Sequence, residues 1–174
     1  MLVNLTEYFK SQTKCDTIIL PYEGKDLMVD GIDVPVLESE GVETTIKNIE
    51  NSKVVVSGHG NMKVCMPCDR CLKDVEVTVE LDFEYTVNEP DGFHEIDDDE
   101  QFFMRDYELD GDELIHNELI MGLPMKVLCK DDCKGLCPMC GSNRNEVSCG
   151  CDTFVPDPRM AAIQDIFNAN NKEV

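Results

Sequence analysis

From Asp74 to Thr86 the chain alternates without a break, Val75, Val77, Val79, Leu81, Phe83 and Tyr85 taking turns with Glu76, Thr78, Glu80, Asp82, Glu84 and Thr86. A period of two is the signature of a strand with one face in a core and the other in water. Shorter runs rich in β-branched residues precede it: "CDTIIL" (15–20), "GIDVPVLE" (31–38), "VETTIKNI" (42–49) and "KVVVSGHG" (53–60), parted by Gly, Asp, Asn and Ser. Together they predict an antiparallel sheet with one solvated face. Ahead of them, "NLTEYFKSQ" forms a short helix if Leu5, Tyr8 and Phe9 share one side.

The period changes after residue 110. Asp110 reads as a helix N-cap with Glu113 three positions on, and Leu114, Ile115, Glu118, Leu119 and Ile120 continue at helical spacing until Gly122 and Pro124 stop them. "LPMKVL" then runs extended into a cysteine-rich stretch. In "VPDPRMAAIQDIFNAN", Asp157 as cap, Pro158 at the first helical position and Met160, Ile163 and Phe167 as an apolar stripe predict a closing helix. The expected fold class is therefore α+β: a mainly antiparallel β sheet or partial barrel with a few helices and a small zinc-ribbon-like Cys-rich segment. The expected organisation is a mainly β domain over 1–125, a Cys-rich segment over 126–155 and a C-terminal helix over 156–174.

Charge narrows the function. Fifteen Lys and Arg against 36 Asp and Glu leave a net charge of −21. Nucleic-acid binders gain most of their non-specific affinity by neutralising phosphates, so this balance excludes DNA as a partner and favours a basic protein, for which ribosomal proteins are typical candidates. Acidity peaks between Asp91 and Glu113, where eleven carboxylates accompany a single Arg105. That stretch reads as a solvated loop or linker, or as a docking strip anchored by Phe102, Phe103 and Tyr107. It lacks the ligand spacing and central Gly of an EF-hand. Neither a basic leader nor a run of roughly 20 apolar residues is found, so no membrane is expected and a cytoplasmic location is.

Six of the ten cysteines fall in "CKDDCKGLCPMCGSNRNEVSCGC", residues 129–151. In a reducing cytosol such spacing points to metal ligation or redox chemistry before disulfides. Its centre, "CPMCG", is the sequence of a zinc knuckle: two thiolates three apart converge on one ion, and Gly141 permits the positive φ that turns backbone N–H groups toward sulfur. With few apolar residues of its own, the segment needs the roughly 10–16 kcal/mol that a structural zinc supplies. Cys133, Cys137, Cys140, Cys149 and Cys151 are the candidate metal ligands, zinc the candidate structural cofactor, and Cys129 the weakest of the six. An iron–sulfur cluster, redox thiols and unligated cysteines are the competing readings. Upstream, "VCMPCDRCL" brings Cys65, Cys68 and Cys71. They read either as a second knuckle joining the first or holding another ion, or as small semi-buried residues at a turn, with Cys15 a core residue elsewhere.

Catalytic signatures are faint. His116-Asn117-Glu118 and Pro67-Cys68-Asp69-Arg70-Cys71 contain the pieces of a zinc deaminase, but in reversed order and with the Cys pair leading into a strand. Cys137 and Cys140 lack the βαβ context of a thioredoxin-like pair. No enzymatic activity is expected.

Several stretches together resemble the YceD-like family, the large ribosomal RNA subunit accumulation proteins: "CDRCL" (68–72) opening the amphipathic strand, "DCKGLCPMCGSNRN" (132–145), the closing "CGC" (149–151) and "DPRMAAI" (157–163). The resemblance implies a factor that supports accumulation of large-subunit ribosomal RNA, and hence ribosome biogenesis, without established enzymatic activity. With the charge, it implies action through a basic ribosomal or assembly protein, direct RNA contact being limited to Lys126, Lys130, Lys134 and Arg144. A metal-handling or thiol redox protein using the C-terminal cysteines is the alternative.

Overall fold

The computed structural model describes residues 1–11, 13–23, 27–29, 31–50, 53–90 and 102–151. The acidic residues 91–101 and the expected closing helix over 156–174 lie outside this set. Among the described residues ten strands and two helices follow in chain order: β1 (Leu2–Asn4), α1 (Thr6–Lys10), β2 (Cys15–Leu20), β3 (Leu27–Val29), β4 (Ile32–Val34), β5 (Val36–Ser39), β6 (Val42–Glu50), β7 (Lys53–Pro67), β8 (Asp74–Asn88), β9 (Met104–Arg105), β10 (Glu108–Asp110) and α2 (Gly111–Gly122).

The long hairpin β7–β8 is the frame. Its register is unbroken from Lys53↔Asn88 to Pro67↔Asp74. On the other edge of β7 its first half pairs with β6, which pairs with β2, and its second half pairs with β5, all antiparallel. The alternation in β8 behaves as expected. Val79, Leu81, Phe83 and Val87 are buried, and Glu76, Thr78, Glu80, Asp82, Glu84 and Thr86 are all exposed. In β7 the inward set is Val54, Val56, Met62 and Val64. That strand runs seven residues past the expected end at Gly60, because β8 pairs with it along its whole length and overrides the weak strand preference of Gly58 and Gly60.

The expected single strand over 31–38 is divided. β4 closes a hairpin with β3, and β5 joins β7, with Pro35 at the break; proline has no N–H to give to a ladder, and its carbonyl instead accepts from Cys65 N at 2.9 Å. Among the described residues the sheet does not close into a barrel. A small sheet, ordered β1-β10-β9, leads into α2, whose N-cap Asp110 accepts from Glu113 N at 3.4 Å. Leu114, Ile115, Glu118 and Leu119 form the buried stripe of α2, joining the core of β6, β7 and β8 together with Leu5, Tyr8 and Phe9 around α1. The buried Glu118 accepts a hydrogen bond from Tyr85 Oη. Cys15 is exposed at the start of β2, not in the core as expected, because β2 is an outer strand of the sheet.

Beyond α2 no described residue belongs to a helix or a strand, and Leu136↔Asn143 form an isolated bridge. This stretch packs against the far end of the β7–β8 hairpin through a second, small buried cluster of Cys68, Cys71 and Cys133, flanked by Val75, Leu128, Cys129 and Leu136. Among the described residues no helix is long and apolar enough to cross a membrane.

Candidate metal centres

Eight cysteines converge as two foursomes, Cys68, Cys71, Cys129 and Cys133 in one and Cys137, Cys140, Cys149 and Cys151 in the other; within each, the sulfurs all lie within 4.8 Å of one another. Four thiolates around a tetrahedral ion with metal–sulfur bonds of about 2.3 Å require sulfurs about 3.8 Å apart. In the first foursome Cys68 and Cys133 are 3.9 Å apart and Cys71 and Cys129 are 3.5 Å apart. The residues present fit a metal ion.

The first centre is built by the turn between β7 and β8. Cys68 N donates to Lys73 O at 2.8 Å and Leu72 N to Cys68 O at 2.9 Å, closing a knuckle in which Leu72 takes φ +59. The incoming segment is clamped to this turn. Asp69 N donates to Val127 O and Val127 N to Asp69 Oδ2, Leu136 N donates to Arg70 O, and Arg70 Nη1 donates to Cys133 O at 2.8 Å. Gly135, at φ +71, lies so close that a Cβ would stand 2.9 Å from Arg70 O. Cys68, Cys71 and Cys133 are buried, Cys129 is half-buried, and Asn145 Nδ2 donates to Cys133 Sγ at 3.3 Å. Partners that orient ligands in this way hold a site in shape.

The second centre is local. Gly141, at φ +73, ends the "CPMCG" knuckle as expected, with Gly141 N donating to Cys137 O and Cys137 N to Ser142 O, both at 2.8 Å. The Ser142 hydroxyl lies 2.7 Å from Cys140 Sγ. Cys137 is buried, Cys149 half-buried, and Cys140 and Cys151 are exposed.

Thiols this close cannot all ionise unaided. In the second centre the Ser142 hydroxyl and backbone hold the Cys140 thiol down to about 6, while the Cys140 thiolate pushes Cys151 up to about 12. In the first, burial pushes Cys68 upward, but backbone N–H groups of Arg70, Cys129 and Cys71 outweigh it and bring the thiol to about 6; Cys129, facing Cys71, rises to about 12. Each foursome thus favours some thiolates and makes their neighbours keep protons. A divalent cation removes that conflict by displacing the protons.

Spacing alone groups Cys133 with Cys137, Cys140, Cys149 and Cys151 as candidate ligands. The structure brings the last four together and places Cys133 with Cys68, Cys71 and Cys129, because the chain turns at Gly135 between Cys133 and Cys137. Cys65, in β7, belongs to neither foursome. The only local signal for the partners of Cys133 was the Cys68–Cys71 spacing, three residues as in the second knuckle. The deaminase-like pieces do not meet as a site: His116 Nδ1 pairs with Tyr22 Oη at 2.9 Å, Glu118 with Tyr85, and Cys68 and Cys71 with cysteines.

An open antiparallel sheet joined to a segment gathered by cysteine foursomes defines the class: an α+β protein with candidate metal centres outside its hydrophobic core. Residues 56–167, spanning the β7–β8 frame and both foursomes, match the family described as large ribosomal RNA subunit accumulation protein YceD. The chain belongs to the YceD family, whose name implies a role in accumulation of the large ribosomal subunit RNA. No curated protein and no solved structure matches it.

Proposed function

We propose that this chain supports large-subunit ribosomal RNA accumulation without catalysing a reaction, by offering the wet face of its sheet to a basic ribosomal or assembly protein while structural zinc holds the cysteine segment. The observation that carries the reading is the outer face of β8, which sets exposed Glu76, Glu80, Asp82 and Glu84 in one row, with exposed Glu43 beyond His59 on β6. Among these, the register puts Glu43, His59 and Asp82 side by side across three strands. In a chain of net charge −21 such a face attracts Lys- and Arg-rich surfaces and repels phosphates. Tetrahedral four-thiolate sites are the usual seat of structural zinc, which is the ion proposed for both centres.

Purified full-length protein is expected to bind basic large-subunit ribosomal proteins, with affinity falling steeply as salt rises. The double substitution Glu80→Lys and Asp82→Lys should weaken that binding and lower large-subunit RNA in cells carrying it. Tight binding to naked large-subunit RNA would overturn the reading in favour of direct contact through exposed Lys126, Lys130, Lys134 and Arg144.

A further inference from the structure

The two foursomes differ in ways that decide their chemistry. In the first, the ligands come from segments 58 and 65 residues apart, so an ion there joins the end of the sheet to the cysteine segment. Three of its four cysteines are screened, Cys68 at 0 % exposed, Cys133 at 3 % and Cys71 at 5 %, with Cys129 half-buried. The second foursome takes all its ligands from residues 137–151, so its ion closes only a short local loop, and Cys140 and Cys151 stand open to solvent. Opening that loop breaks none of the hydrogen bonds between the β7–β8 turn and residues 127–136, and it reaches the first centre through Asn145, whose Nδ2 donates to Cys133 Sγ. Exposed thiolates are the ones small oxidants reach.

We propose that the Cys137, Cys140, Cys149 and Cys151 centre is a site of reversible oxidation by hydroperoxides, which expels its zinc while the Cys68, Cys71, Cys129 and Cys133 centre keeps its own. This rests on the zinc reading above. In each step two thiolates give up one electron each and form a sulfur–sulfur bond. The oxygen–oxygen bond of one hydrogen peroxide breaks, and with two protons from solvent its oxygens leave as two waters. Two peroxides convert the four thiolates to two disulfides, and the zinc departs as Zn²⁺ for want of ligands. A dithiol reductant with zinc restores the site.

The test uses the full chain, purified under reducing conditions and then freed of reductant, treated with hydrogen peroxide while a metallochromic dye counts released zinc. Two equivalents of zinc are expected at the start, one leaving about tenfold faster than the other, because susceptibility follows exposure. Peptide mapping should then find new disulfides confined to Cys137, Cys140, Cys149 and Cys151. The variant Cys140→Ser with Cys151→Ser should start with one equivalent and lack the fast phase, its remaining zinc leaving slowly. Release of both ions at one rate, or first oxidation at Cys68, Cys71, Cys129 or Cys133, overturns the proposal. Protein that neither contains zinc nor takes it up from zinc chloride overturns the zinc reading instead.

Discussion

Gly135 combines two constraints in one residue. Its φ of +71 is a conformation that costs an L-residue about 1–2 kcal/mol, and the space beside its Cα is filled by the Arg70 carbonyl. Gly135→Ala is therefore expected to weaken the first centre by about 1–3 kcal/mol, seen as earlier loss of metal in competition with a chelator. Tyr85 gives a second residue-scale expectation. Burial, with the hydrogen bond to Glu118, pushes its hydroxyl from the ordinary 10.0 up to about 12, and burial with Asp16 does the same for Tyr8. The folded state holds these protons more firmly than the unfolded chain. Their contribution to stability is thus complete below about pH 10 and is lost as pH climbs through about 12. Ultraviolet titration of the folded protein should show late-ionising tyrosines, and Tyr85→Phe should remove one of them.

At the scale of elements, α2 depends on its start. Asp110 caps it and also lies 3.4 Å from Arg105. Asp110→Ala is expected to cost about 1 kcal/mol, measurable as a lower midpoint in urea with an unchanged slope. This cap and the wet face of β8 were legible because both are written in neighbouring residues: an Asp three before a Glu, and a polar residue at every second place. The full length of β7 was not, since Gly58 and Gly60 carry no apolar signal and it is pairing with β8, and at Gly58 with β6 as well, that keeps them extended. The "CPMCG" knuckle was legible for the same local reason as the cap. The union of Cys68 and Cys71 with Cys129 and Cys133 was not, because spacing along the chain is silent about contacts 58 to 65 residues away.

For the whole molecule, two kinds of cohesion meet at residue 123. The sheet and its helices have a continuous apolar core that includes Leu20, Ile46, Leu81, Phe103 and Leu119. The cysteine segment has little beyond Val127, Leu128, Leu136 and the sulfurs themselves. Removing metal with a chelator in the presence of reductant should therefore open residues 123–151 to protease while the β7–β8 hairpin stays protected. Far-ultraviolet circular dichroism should keep its strand signal throughout.

The 65-position gap between Cys68 and Cys133 also sets an order of events at the ribosome that makes the chain. Translation at about 5–20 residues per second leaves the first sulfurs waiting roughly 3–13 s for their partners. Since β8 ends at Asn88, the hairpin is completed within that interval and presents Cys68 and Cys71 as a thiol pair before Cys129 and Cys133 exist to complete the foursome.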